Sequence, residues 1–206
     1  MNTKERTRIS RMVIMALMIG ILLLMAFTPL GYLNIGPLAL TFNMIPVAIC
    51  AIVLGPSGGA AAGAVFGLTS FLQCIGIGGL SAMGAALFEI SPVLAFIQRF
   101  FPRLLFGLLV GFIFRGVRKA ANDTLAGYVA GFFAAFLNTL FFMLSLVFLF
   151  GNTEYVQNLI GGRNIILFIC AFVGIQAVFE MLASTVLTGT IALALNKAGF
   201  VPRKNQ

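Results

Sequence analysis

The chain is a succession of long apolar runs cut by short turns rich in Gly and Pro. A hydrocarbon layer about 30 Å thick is crossed by about 20 apolar residues in helical form. The pattern predicts six such spans. The first, Met12–Phe27, stops at Thr28-Pro29, and the second, about Leu38–Leu54, stops at Gly55-Pro56. The third, about Gly58–Cys74, is rich in Gly and Ala. The others are about Pro92–Phe114, Leu125–Phe150 and Asn164–Leu195. Ile75–Ser91 is too polar and Gly-rich for a seventh span, but it has room for a short re-entrant or surface helix. The expectation is an all-α membrane protein, a single six-helix transmembrane bundle over residues 1–206. The basic stretch Met1–Arg11 ahead of the first run has the look of a signal peptide. That run is long and lacks an Ala-x-Ala cleavage site, so it reads as a retained first helix.

Composition supports the pattern. Apolar residues make up 61 % of the chain and charged residues 9 %, whereas a soluble domain carries about 25 % charged residues. A soluble enzyme, a secreted disulfide scaffold and a disordered tail are excluded. Cys50, Cys74 and Cys170 lack framework spacing and read as small buried hydrophobes. The absence of His removes the commonest general base and metal ligand. No nucleophile–base pair and no metal set stands out, so neither catalysis nor a cofactor is expected. No phosphate-binding G-x-x-x-x-G-K-[ST] loop is present. Uphill transport would draw on an ion gradient or on a partner chain.

The net charge of +8 is concentrated. Lys4, Arg6, Arg8 and Arg11 precede the first span. Arg115, Arg118 and Lys119 follow the fourth, and Lys197, Arg203 and Lys204 follow the sixth. With six spans all three clusters fall on one side, which the positive-inside rule makes cytoplasmic. The opposite loops hold only Arg163, Glu89 and Glu154. Five or seven spans would separate the two basic termini. The charge therefore orients the chain in a bilayer and does not point to nucleic acid.

Ionisable groups at membrane depth are expensive and usually have a task. Arg99 and Arg103 lie one turn apart in the fourth span, on one face. A guanidinium fork matches a carboxylate or phosphate. One reading is a clamp for an anion in an outward-facing cavity. The other has one Arg reaching the outer headgroups while its neighbour pairs with Glu180. Glu180 shares a face with Gln176 in the sixth span and would balance Arg103 or meet a ligand hydroxyl or amide. Asn138 is in the fifth span, Gln73 ends the third and Asn43 opens the second. Together Gln73, Gln98, Arg99, Arg103, Asn138 and Gln176 have the depth of a polar pocket shared by four helices. Glu89 reads as solvated. Pro102 interrupts the fourth span and removes a backbone hydrogen bond there. Tyr32 would cap a pocket or anchor at headgroup level. The lack of Trp argues against a cage for an organic cation.

Small residues recur at spacings of four: Ala16/Gly20, Gly59/Gly63/Gly67, Gly107/Gly111 and Gly127/Gly131. Such spacing lets backbones approach closely. Most pairs are expected inside the bundle. An exposed pair would offer a docking face.

The run Thr28-Pro29-Leu30-Gly31-Tyr32-Leu33-Asn34-Ile35-Gly36-Pro37 leads on through Phe42-Asn43-Met44-Ile45-Pro46-Val47 to Val53-Leu54-Gly55-Pro56. Phe66-Gly67-Leu68-Thr69-Ser70 and Phe101-Pro102-Arg103-Leu104-Leu105-Phe106-Gly107 follow. Over nearly its whole length the chain resembles the S components of energy-coupling-factor (ECF) transporters. The Leu-Gly-Pro and Pro-Arg-Leu elements are most similar to the pantothenate type. The resemblance implies a six-helix vitamin-capture subunit of a prokaryotic plasma membrane. Its implied partners are a transmembrane T component and two ATPases. Arg99 or Arg103 would pair with the vitamin's carboxylate, and the Asn and Gln side chains would serve the rest. Ala16-Leu17-Met18-Ile19-Gly20 stands where family members carry Ala-x-x-x-Ala for docking. Riboflavin or another vitamin, and a stand-alone proton-coupled transporter using Glu180, are the alternatives.

Overall fold

The computed structural model describes residues 3–28, 31–35, 38–162 and 164–201, and their side chains except at 3–8, 32–35, 38–40, 165–173 and 175. Arg163, Arg203 and Lys204 lie outside the described residues, as do the side chains of Lys4, Arg6, Arg8, Tyr32 and Cys170. Eight α-helices occur among the described residues: α1 Thr3–Phe27, α2 Met44–Leu54, α3 Pro56–Leu72, α4 Ala82–Ile90, α5 Pro92–Ala120, α6 Asp123–Phe150, α7 Glu154–Ile160 and α8 Ile165–Lys197. Five of them, α1, α3, α5, α6 and α8, are long and apolar enough to cross a membrane. The molecule is a multi-pass helical bundle.

The run Leu38–Leu54 is not one helix, which corrects the sequence expectation. It opens as strand β2, Leu38–Thr41, paired antiparallel with β1, Tyr32–Ile35, in the register Tyr32↔Thr41 to Ile35↔Leu38. Only then does α2 begin, and its 11 residues span about 16 Å, half a bilayer core. Pro46 explains the late start. Proline lacks an N–H and its ring crowds the carbonyl four residues back, so it sits most favourably in a helix's first turn, where Pro46 lies. All of α2 but Leu54 is buried.

Gly55, with φ +84°, reverses the chain, and Pro56 opens α3. The two helices fold back on each other, with Gly59 against Ala51 and Gly58 against Leu54. The most extensive interface joins α3 and α5. Gly67 meets the backbone of Arg99 and Phe100, Gly63 that of Arg103, Gly59 that of Gly107, and Pro56 meets Gly111. A Cβ at Gly59 or Gly63 would collide with a backbone carbonyl of α5. Glycine is required there by proximity. Helices α6 and α8 pair similarly: Gly131 lies against Ser184 and Thr188, Gly127 against Ala192, and Ser184 Oγ donates to Gly131 O at 2.8 Å.

The contacts sort the two ends of the bundle. Arg115 lies against Gly55, and Arg11 shares a cleft with Leu54, Ser57 and Gly58. Arg118 bonds Asp123 at 2.7 Å beside the α5–α6 turn. The last turns of α8 meet the first of α6 through Ala192 and Gly127. The described basic residues Arg11, Arg115, Arg118, Lys119 and Lys197 thus gather at one end. The other end carries the hairpin, α4 and α7. There Met83, Leu87, Ala95, Met143, Leu146, Phe150, Val156 and Ile160 form a second apolar cluster. Ser81, Ser91 and Thr153 cap α4, α5 and α7 by accepting bonds from Gly84, Leu94 and Val156 N–H groups. Helix α4 occupies the stretch expected to hold a short helix, and Glu89 on it is exposed. Helix α7 was not foreseen.

Candidate functional site

Helix α5 turns a polar face inward. Gln98 is fully buried, Arg99 is 6 % exposed and Arg103 5 %. Neither Arg lies on the periphery of the bundle. Arg99 Nη1 donates to Ser70 Oγ of α3 at 3.4 Å, and Nη2 to Ser81 Oγ at 3.3 Å. Arg103 Nη1 donates to the carbonyl of Gln98 at 3.1 Å. Both guanidinium groups also lie over the ring of Phe142 on α6, Arg103 at 4.9 Å and Arg99 at 5.4 Å. Arg103 is 5.5 Å from the Phe66 ring as well. The i, i+4 spacing on one helix puts both cations over one facing side chain.

Asn138 is one turn before Phe142 and is buried. Continuing the α6–α8 register set by Gly127 and Gly131 brings it beside residues 177–181 of α8. Glu180, buried near the midpoint of α8, accepts the backbone N–H of Thr41 at 2.7 Å. The end of β2 therefore reaches the middle of the bundle. Thr41 Oγ1 in turn accepts the N–H of Asn43 at 3.3 Å. Asn43 is wholly buried, and its Oδ1 lies beside Gly31, which packs on the Met25 carbonyl of α1. One residue further along α1, the carbonyl of Ala26 accepts from Gln73 Nε2 at 2.9 Å. Gln73 is one turn from Ser70, which leads back to Arg99. These contacts trace a closed circuit: Arg99 and Arg103, Phe142 and Asn138, α8 with Glu180, Thr41 and Asn43, the end of α1, Gln73 and Ser70. Gln176, half-buried, is one turn from Glu180.

The circuit is underbonded. Asn43 Nδ2 and Oδ1, Gln98 Nε2 and Oε1, Asn138 Oδ1 and Arg99 Nε are buried without a hydrogen-bond partner among the described residues. Buried polar groups are normally paired, and an unpaired one costs about 1–3 kcal/mol. A polar ligand or water among them would supply the missing partners.

Sequence reasoning located the main polar groups but not their supports. Thr41, Ser70, Ser81 and Phe142 were missed as contacts. None of the four carries a mark in the sequence that sets it apart. Gln73, expected to face a ligand, spends its amide N–H on α1. Cys50 and Cys74 are buried and free, and no group of metal-ligating residues occurs among the described ones. On α1, Ala16 is exposed and a Cβ at Gly20 would meet nothing within 4 Å.

A family model described as "ECF transporter, substrate-specific component" matches residues 10–192. A pantothenate transporter, PanT, of Leuconostoc mesenteroides is 30 % identical over 194 residues, covering 89 % of this chain and 91 % of that protein. A pantothenic acid transporter, PanT, of Lactococcus lactis subsp. cremoris is 28 % identical over 205 residues, covering 94 % and 97 %.

Proposed function

We propose, because this chain belongs to the family of ECF transporter substrate-specific components, that it captures a small anionic vitamin outside the cell, pantothenate favoured, for import with a T component and two ATPase subunits. It is a multi-pass protein of the prokaryotic plasma membrane and a transport component. The proposed architecture is one domain with six passages, the second made of β2 and α2 together. Both termini are then cytoplasmic. The gathering of the described basic residues at one end supports this orientation.

The observation that carries the reading is Arg99. It is a buried cation whose described contacts are neutral: two Ser hydroxyls and a Phe ring. A buried charge is costly without a counter-charge, and an anionic ligand supplies one. The carboxylate takes Arg99 or Arg103. The unpartnered amides of Gln98, Asn138 and Asn43 meet hydroxyl and amide groups, with Gln176 and Glu180 completing the wall. Gln73 shapes the rim. The Ala16/Gly20 face of α1, exposed at Ala16 and half-buried at Gly20, meets the T component. The pantothenate transporters that the chain resembles favour that vitamin.

Titration calorimetry on the purified protein across a vitamin panel tests the substrate. Heat from riboflavin with none from pantothenate would reassign it. Arg103→Ala is expected to weaken binding by about 2–5 kcal/mol, far more than Arg163→Ala. Equal effects would remove Arg103 from the site. Co-purification with T and ATPase subunits is the third arm, and uptake by the chain alone would replace the ECF mechanism with a stand-alone one.

A further inference from the structure

Two guanidinium groups one turn apart repel each other, and in an apolar bundle the repulsion is poorly screened. Both are buried, and the side chain they share is the Phe142 ring, at 4.9 and 5.4 Å. An aromatic face carries negative electrostatic potential and attracts a cation within about 6 Å of its centroid. Phe142, half-buried, packs against the apolar cluster of α4, α5, α6 and α7.

We propose that Phe142 is a positioning residue. Its ring face holds Arg99 and Arg103 together and so sets the preference for an anionic ligand over its neutral analogue. This rests on the reading of the arginines as the anion site. The ring acts on the cations through its electron density. A residue of equal shape with less density should weaken anion binding and leave the rest of the ligand's contacts alone.

The test is stepwise fluorination of Phe142 in the full chain, with one, two and three ring fluorines, which drains the face with little change of shape. Affinity is measured by calorimetry for pantothenate and for its neutral alcohol analogue. The acid is expected to bind progressively more weakly, to about tenfold at three fluorines, with the alcohol unchanged within about twofold. Phe142→Leu should show the same split. Acid affinity flat across the fluorinated series, or acid and alcohol falling together, would overturn the role of Phe142. If Arg103→Ala still weakens the acid, the anion site survives that result. If neither Arg99→Ala nor Arg103→Ala changes acid binding, the site itself is wrong and the inference goes with it.

Discussion

Helices α1 and α3 invert the intuition carried over from soluble proteins. Of the five long helices α1 is the most apolar, yet only 11 % of its spanning window is buried. Helix α3 is the least apolar, and 56 % of its window is buried. Lipid tails are as apolar as a leucine, so facing outward carries no hydrophobic penalty there. Burial goes instead to the helix whose side chains let another backbone come close. Helix α3 offers Gly59, Gly63 and Gly67 to α5. Helix α1 presents Met12, Val13, Leu17 and Leu24 outward. Between these two helices, smallness and not hydropathy decides which is buried.

That contrast can be broken directly. Gly59→Leu should have the largest effect, because its side chain would enter the Gly107 carbonyl. Overpacking costs about 1–3 kcal/mol or more, and thermal unfolding in detergent should show a large loss of folded protein. Gln98→Leu should act in two directions. Removing an unpaired buried amide should stabilise the empty protein by about 1–2 kcal/mol while weakening vitamin binding. Both are read from unfolding curves with and without ligand. Ser184→Ala removes the bond to Gly131 and should cost about 1 kcal/mol with no change in binding. Gly20→Leu should leave stability within about 0.5 kcal/mol, since a Cβ there would meet nothing within 4 Å, yet reduce co-purification with the T component. A stability loss at Gly20 equal to that at Gly59 would remove the distinction between the two helices.

The long helices were legible because continuous apolar runs bounded by Thr28-Pro29, Gly55-Pro56, Ser91-Pro92 and Gly151 leave little choice of element. The second span was misread because hydropathy cannot tell an extended apolar stretch from a helical one. Pro46 carried part of the missing information, as it disfavours a helix reaching far back toward Leu38. The buried polar residues were readable because they are so few. Their partners were not, since Thr41 to Glu180 and Gln73 to Ala26 join residues far apart in sequence. Phe142 was hidden for a different reason: among 22 phenylalanines, nothing in the chain marks the one that two arginines share.

The short α2 bears on how the outer face opens. A full-length helix must tilt or slide as a unit, because each of its backbone bonds lies within itself. A hairpin can surrender its cross-strand bonds pair by pair to incoming water. The strand pair β1–β2 ahead of α2 is such a hairpin, and at the end of β2 Glu180 accepts the Thr41 amide N–H. A solute passing that hairpin would meet four cross-strand residue pairs and, at the end of β2, one carboxylate.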